Sequence, residues 1–128
     1  MRKAVLVLLC GCLVFAVSAR QASAIKPFFD EFKAKYVKKE GSDAEKEFAK
    51  KVEMVKCAVC HGKKDGKEDK KVRNDYGKAL DILLDKKADA KNKEKIQKSL
   101  DTVYDEKVPG KDETFGDRIK AGKLPGAE

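Results

Sequence analysis

Cys57-Ala58-Val59-Cys60-His61 is the stretch on which the reading of this chain turns. Two thiols three residues apart lie about one helical turn apart, so both can face one edge of a flat ligand. A histidine follows directly, placed to swing its imidazole beneath that ligand. His61 is the only histidine among 128 residues, and two of the four cysteines belong to this segment. The other two, Cys10 and Cys12, lie in an uncharged run near the start.

The pattern C-x-x-C-H is the attachment signal for a c-type haem. Cys57 and Cys60 would each form a thioether with one vinyl group, and His61 would bind the iron. The same two thiols also fit a zinc site, thiol–disulfide exchange or a plain structural disulfide. Zinc in a structural site takes four protein ligands, so a carboxylate would have to join Cys57, Cys60 and His61. A redox-active dithiol usually sits at a helix N-terminus, where the dipole lowers the thiol pKa. Here the motif follows a helical pattern instead.

Residues 1–24 read as a cleaved secretory signal. Arg2 and Lys3 form a positive start, residues 4–17 carry no charge, and Ala22-Ser23-Ala24 matches a small-x-small cleavage site. The uncharged run is short of the ~20 apolar residues that span a bilayer. A cut after Ala19, or a lipoprotein processed at Cys12, are the lesser readings. Export matters because c-type haem is attached outside the cytoplasm. The protein is therefore expected in the periplasm or another extracytoplasmic space, as one domain over residues 25–128. Loss of Arg2, Lys3 and Arg20 removes three bases and no acid, so the net charge falls from +8 to +5.

Nearly half of residues 25–128 are charged, which leaves few to fill a core. A buried porphyrin would supply apolar surface. Lysine far outnumbers arginine, and aromatic residues are not interleaved with basic ones, so nucleic acid is not the expected partner. Docking onto a redox partner with an acidic surface is. No general base, nucleophile or carboxylate pair stands out, so an enzyme is not expected.

The periodicity predicts an all-α fold, a small bundle of about four short helices around one covalently bound haem. Phe28, Phe29, Phe32 and Tyr36 form a first stripe, with Pro27 in its first turn. Ser42 and Glu45 form a capping box that opens a second helix, striped by Phe48, Val52, Val55 and Val59 and running into the motif. Residues 62–71, without an apolar side chain, read as an exposed mobile loop. A third helix is expected over 74–86 (Tyr76, Leu80, Leu83, Leu84) and a fourth over 93–106 (Ile96, Leu100, Val103, Tyr104). Thr114 would cap a last turn bearing Phe115 and Ile119, and residues 122–128 would fray. Tyr76 and Tyr104 are candidates for the haem pocket or for simple packing. Arg73 is a candidate partner for a haem propionate or simply a solvated charge at a loop end.

These features resemble the single-haem c-type cytochromes: small, exported, helical, with one C-x-x-C-H. The resemblance implies Cys57 and Cys60 as thioether anchors of one haem c, His61 as proximal axial ligand, and one-electron transfer. Two departures stand out. The motif follows an extra aromatic helix, and no methionine lies downstream of His61. Met54, seven residues upstream and about 10 Å back along a helix, reads as packing rather than as a ligand. The sixth iron position would then be open, water-bound, or filled by a lysine, a tyrosine or a backbone group. Without a thioether ligand the potential would be lower than in methionine-ligated carriers. An open site would instead allow a gas-binding sensor, and a secreted protein that never takes up haem is the third reading.

Overall fold

The computed structural model describes residues 26–126. The expected signal sequence, its alternative cut and the lipoprotein cysteine lie outside the described residues. Among the described residues there are five helices: α1 (Lys26–Tyr36), α2 (Asp43–Val55), α3 (Asp75–Leu83), α4 (Lys93–Tyr104) and α5 (Phe115–Lys120). Between α2 and α3 come a single 3-10 turn, Lys56–Val59, and two strands, β1 (His61–Lys64) and β2 (Lys67–Arg73). The strands pair antiparallel as a two-stranded sheet. The all-α expectation is thus wrong: the fold is mixed, helix-rich with a small sheet.

The helices form where the local signals place them. Ser42 accepts from the Glu45 backbone while the Glu45 carboxylate accepts from the Ser42 backbone at 2.7 Å, so both ends of the capping box are made. Thr114 and Asp117 repeat the device at α5. The stripes converge on one core. Phe32 packs edge-on against Tyr76 at 5.8 Å and lies 6.4 Å from Phe48, and Tyr76 meets Phe115 at 5.3 Å. Val52, Val59, Ile96, Leu100 and Val103 complete it, all essentially without solvent contact. Tyr36 donates from its hydroxyl to the Leu100 carbonyl at 2.9 Å and so ties α1 to α4.

The segment expected to be a loop is the hairpin. Asp65 and Gly66 both have positive φ, 52° and 78°. Lys64 pairs with Lys67 across them, which gives the two-residue turn that matches strand twist. No apolar alternation marks these strands because only their base is buried; Lys63, Lys64, Lys67, Lys70 and Lys71 are exposed. An isolated hairpin is marginal in water. This one is anchored at His61 and Arg73, which pair with each other where it joins the helical body.

The chain's end also departs from expectation. Lys123 donates its backbone N–H to Arg118 O at 2.8 Å, and Arg118 Nε donates to Leu124 O at 3.0 Å. Pro125 is fully buried. Residues 122–126 are therefore packed rather than frayed.

Ile96 sits in the middle of this core, so Ile96→Ala is expected to cost about 3 kcal/mol. Thermal unfolding followed by circular dichroism would then show a midpoint more than ~10 °C lower.

Candidate functional site

The C-x-x-C-H segment is shaped by an early end to α2. Lys56 adopts φ 45°, ψ −105°, while its N–H still bonds to Val52 O. Positive φ at a side-chain-bearing residue costs roughly 1–3 kcal/mol and persists only where the surroundings hold it. The break hands the chain from α2 to the 3-10 turn. In a 3-10 turn residues i and i+3 eclipse one another, so Cys57 and Cys60 stand one above the other. The Cys60 N–H donates to Cys57 O at 3.2 Å. The motif thus lies on a tight turn beyond the helix, not on α2 itself, and Val59 still reaches the core as its stripe predicts.

Cys57, Cys60 and His61 all line one cavity of about 310 Å³, a size typical of small-molecule sites. Phe28 and Phe29 of α1 and Leu80 and Leu84 of the α3 region supply hydrocarbon walls. Lys26, Lys56, Lys70, Arg73 and Lys86 bring positive charge to it, and Asp81 is the one acid among its lining residues. Arg73 is bonded to Asp81 at 2.9 Å. Hydrocarbon walls with several cations suit a flat apolar ligand that carries carboxylates. A haem is such a ligand, and the two thiols and the imidazole are the donors its attachment needs.

The imidazole of His61 is buried, and its Nδ1 lies 3.2 Å from Val72 O. A carbonyl can only accept, so Nδ1 carries the hydrogen. In the neutral ring this leaves the Nε2 lone pair for a metal, the usual arrangement of a ligating histidine and its supporting carbonyl. The β1–β2 register shifts between His61 and Lys63, beside this contact.

The two thiols differ. Cys57 is exposed and Cys60 partly buried. Burial pushes the Cys60 thiol up to about 12; neighbouring Cys57 adds to the rise and Arg73 opposes it. Cys60 is thus a poor thiolate at neutral pH. Among the described residues no cluster of three or more histidine, cysteine or acidic side chains is placed to hold a metal ion.

Of the other candidates, Arg73 lines the cavity and Tyr76 and Tyr104 do not. Tyr76 packs in the core, with its hydroxyl buried and without a hydrogen-bond partner, and burial holds its ionisation well above the ordinary tyrosine range. Tyr104 stacks on Tyr36 at 5.3 Å. Met54 is 82% exposed, so the reading of Met54 as a packing residue is wrong; it does not line the cavity either.

Sequence reasoning missed Asn74, which it took only as a helix start. The Asn74 side chain caps α3 through Gly77 N at 2.9 Å. It also donates to the carbonyls of Ala58 at 3.1 Å, Val59 at 2.9 Å and His61 at 3.4 Å. Its backbone N–H donates to Cys60 O at 3.2 Å. The cap was legible in the sequence; the grip on the motif was not. Among the described residues no helix is long and apolar enough to cross a membrane. Comparison with protein-family models, curated proteins and solved structures finds no match.

The raised Cys60 value has two consequences. Alkylation of the haem-free chain by iodoacetamide at pH 8 is expected to label Cys57 and spare Cys60, with Cys60 labelling only toward pH 12. Because the folded pKa lies above the unfolded value of about 8.5, the fold favours the protonated thiol. Its contribution to stability is full below pH ~8.5 and is lost progressively as pH climbs toward 12. Mass spectrometry of tryptic peptides and urea titrations at several pH values check the two.

Proposed function

We propose that this chain is an exported c-type haem protein that carries single electrons rather than transforming a substrate. The observation that supports it best is the meeting of both thiols and the His61 imidazole on one apolar-walled cavity, with His61 Nδ1 committed to Val72 O. A bound haem would supply Fe(III)/Fe(II) exchange, one electron at a time.

The chain's own groups then divide the work. Cys57 and Cys60 hold the cofactor through two thioethers, and His61 offers Nε2 to the metal. Val72 fixes the imidazole orientation and strengthens it as a donor. Phe28, Phe29, Leu80 and Leu84 exclude water, which together with axial ligation sets the potential. Arg73 is suited to a carboxylate by its planar fork. Lys70 of the hairpin lines the cavity, and the exposed hairpin lysines would favour a redox partner with an acidic surface, through faster and salt-sensitive encounter.

The test is expression of the full chain with periplasmic haem-attachment machinery, then a denaturing gel stained for haem and intact mass. One covalent haem per chain is expected. Cys57→Ala and Cys60→Ala should each leave at most a single thioether, and the double variant none. His61→Ala should retain the attached mass but shift the absorption spectrum. A wild-type chain that emerges as bare polypeptide sinks the reading. A haem-loaded chain that is high-spin and binds carbon monoxide when reduced would favour gas binding over electron carriage.

A further inference from the structure

We infer that Asn74 is the positioning residue that holds the C-x-x-C-H segment in the shape haem attachment requires; this rests on the haem reading above. Each of the four consecutive carbonyls from Ala58 to His61 accepts a hydrogen bond from this one residue. A tight turn that leaves the helix ladder strands such carbonyls, and a buried unpaired carbonyl costs about 1–3 kcal/mol. Asn74 reaches all four: the two hydrogens of Nδ2 are shared among Ala58, Val59 and His61, and the backbone N–H takes Cys60 O. The orientation of its amide is fixed by its neighbours: carbonyls surround Nδ2, and the Gly77 N–H faces Oδ1.

The clamp is backed on two sides. A Cβ at Gly77 would overlap the Cys60 carbonyl, so α3 approaches the motif through a bare backbone. A Cβ at Gly126 would overlap the Asn74 amide, so the chain's last described residue packs against it. Asn74 touches neither thiol in any hydrogen bond and does not line the cavity. Its effect passes through the backbone that carries Cys57, Cys60 and His61.

Asn74→Asp separates this role from helix capping. The carboxylate keeps an oxygen for Gly77 N but removes the two Nδ2 donors and turns an acceptor toward three carbonyls. The full chain is matured with haem-attachment machinery and scored by intact mass for two, one or no thioethers. Ile96→Ala, on α4, serves as a control for lost stability. Asn74→Asp is expected to lower the doubly attached fraction at least five-fold relative to Ile96→Ala, with single-thioether chains accumulating. In the haem-free chain, amides of residues 58–62 should exchange at least ten-fold faster than in wild type, while those of α4 are unchanged. Asn74→Asp that loads like the control, or exchange that rises equally in α4, overturns the inference and leaves the haem reading standing. A wild type without haem removes the haem reading, and unchanged exchange in 58–62 would then remove the clamp as well.

Discussion

A backbone that turns sharply must find donors for the carbonyls it exposes, and here a single asparagine finds them. Asn74 spans 13–16 residues of sequence to reach Ala58, Val59 and His61. Its own N–H takes Cys60 O. The same side chain starts α3. The motif, the end of the hairpin and the first turn of α3 are therefore one hydrogen-bonded unit. Strain at Lys56 on the upstream side is tolerable because the downstream side is held this firmly.

Around that unit the scarce apolar residues serve two surfaces. α1 turns Phe32 into the core, while Phe28 and Phe29 line the cavity. Leu80 and Leu84 belong to both, as members of the core cluster and as cavity wall. A chain with 41% charged residues has little hydrocarbon to spare, and sharing one wall between two surfaces is economical. Charge is sorted with the same economy. Among the described residues four acids pair with a lysine one turn away on a helix surface, as in Glu47 with Lys51 and Asp75 with Lys78. Such exposed pairs contribute little to stability. The cavity, by contrast, gathers five cations against Asp81. Such an imbalance would favour an anionic ligand.

The third element of the site is the lysine hairpin, and its misreading as a loop is instructive. Apolar alternation, the usual mark of a strand, is missing because the outer part of the hairpin faces water on both sides. What specifies it is the Asp65-Gly66 turn, a strong local hairpin signal present in the sequence and passed over. Met54 is the opposite case. It lies in sequence between Val52 and Val55, yet about 200° round α2 from Val52, so helix geometry alone turns it to solvent.

The sequence by itself determined what neighbours in the chain decide. The capping boxes at Ser42 and Thr114, the stripes of the helices and the three-residue spacing of the thiols all act within one or two turns. Residue type and spacing suffice there, because the partner groups are covalently close. Tertiary structure alone decided which carbonyl orients His61, that Arg73 joins the cavity while Tyr76 leaves it, that residues 122–126 pack, and that Asn74 holds the motif. Those outcomes depend on how the hairpin folds back and where α3 lands against Cys60, a close approach that only the missing side chain of Gly77 permits.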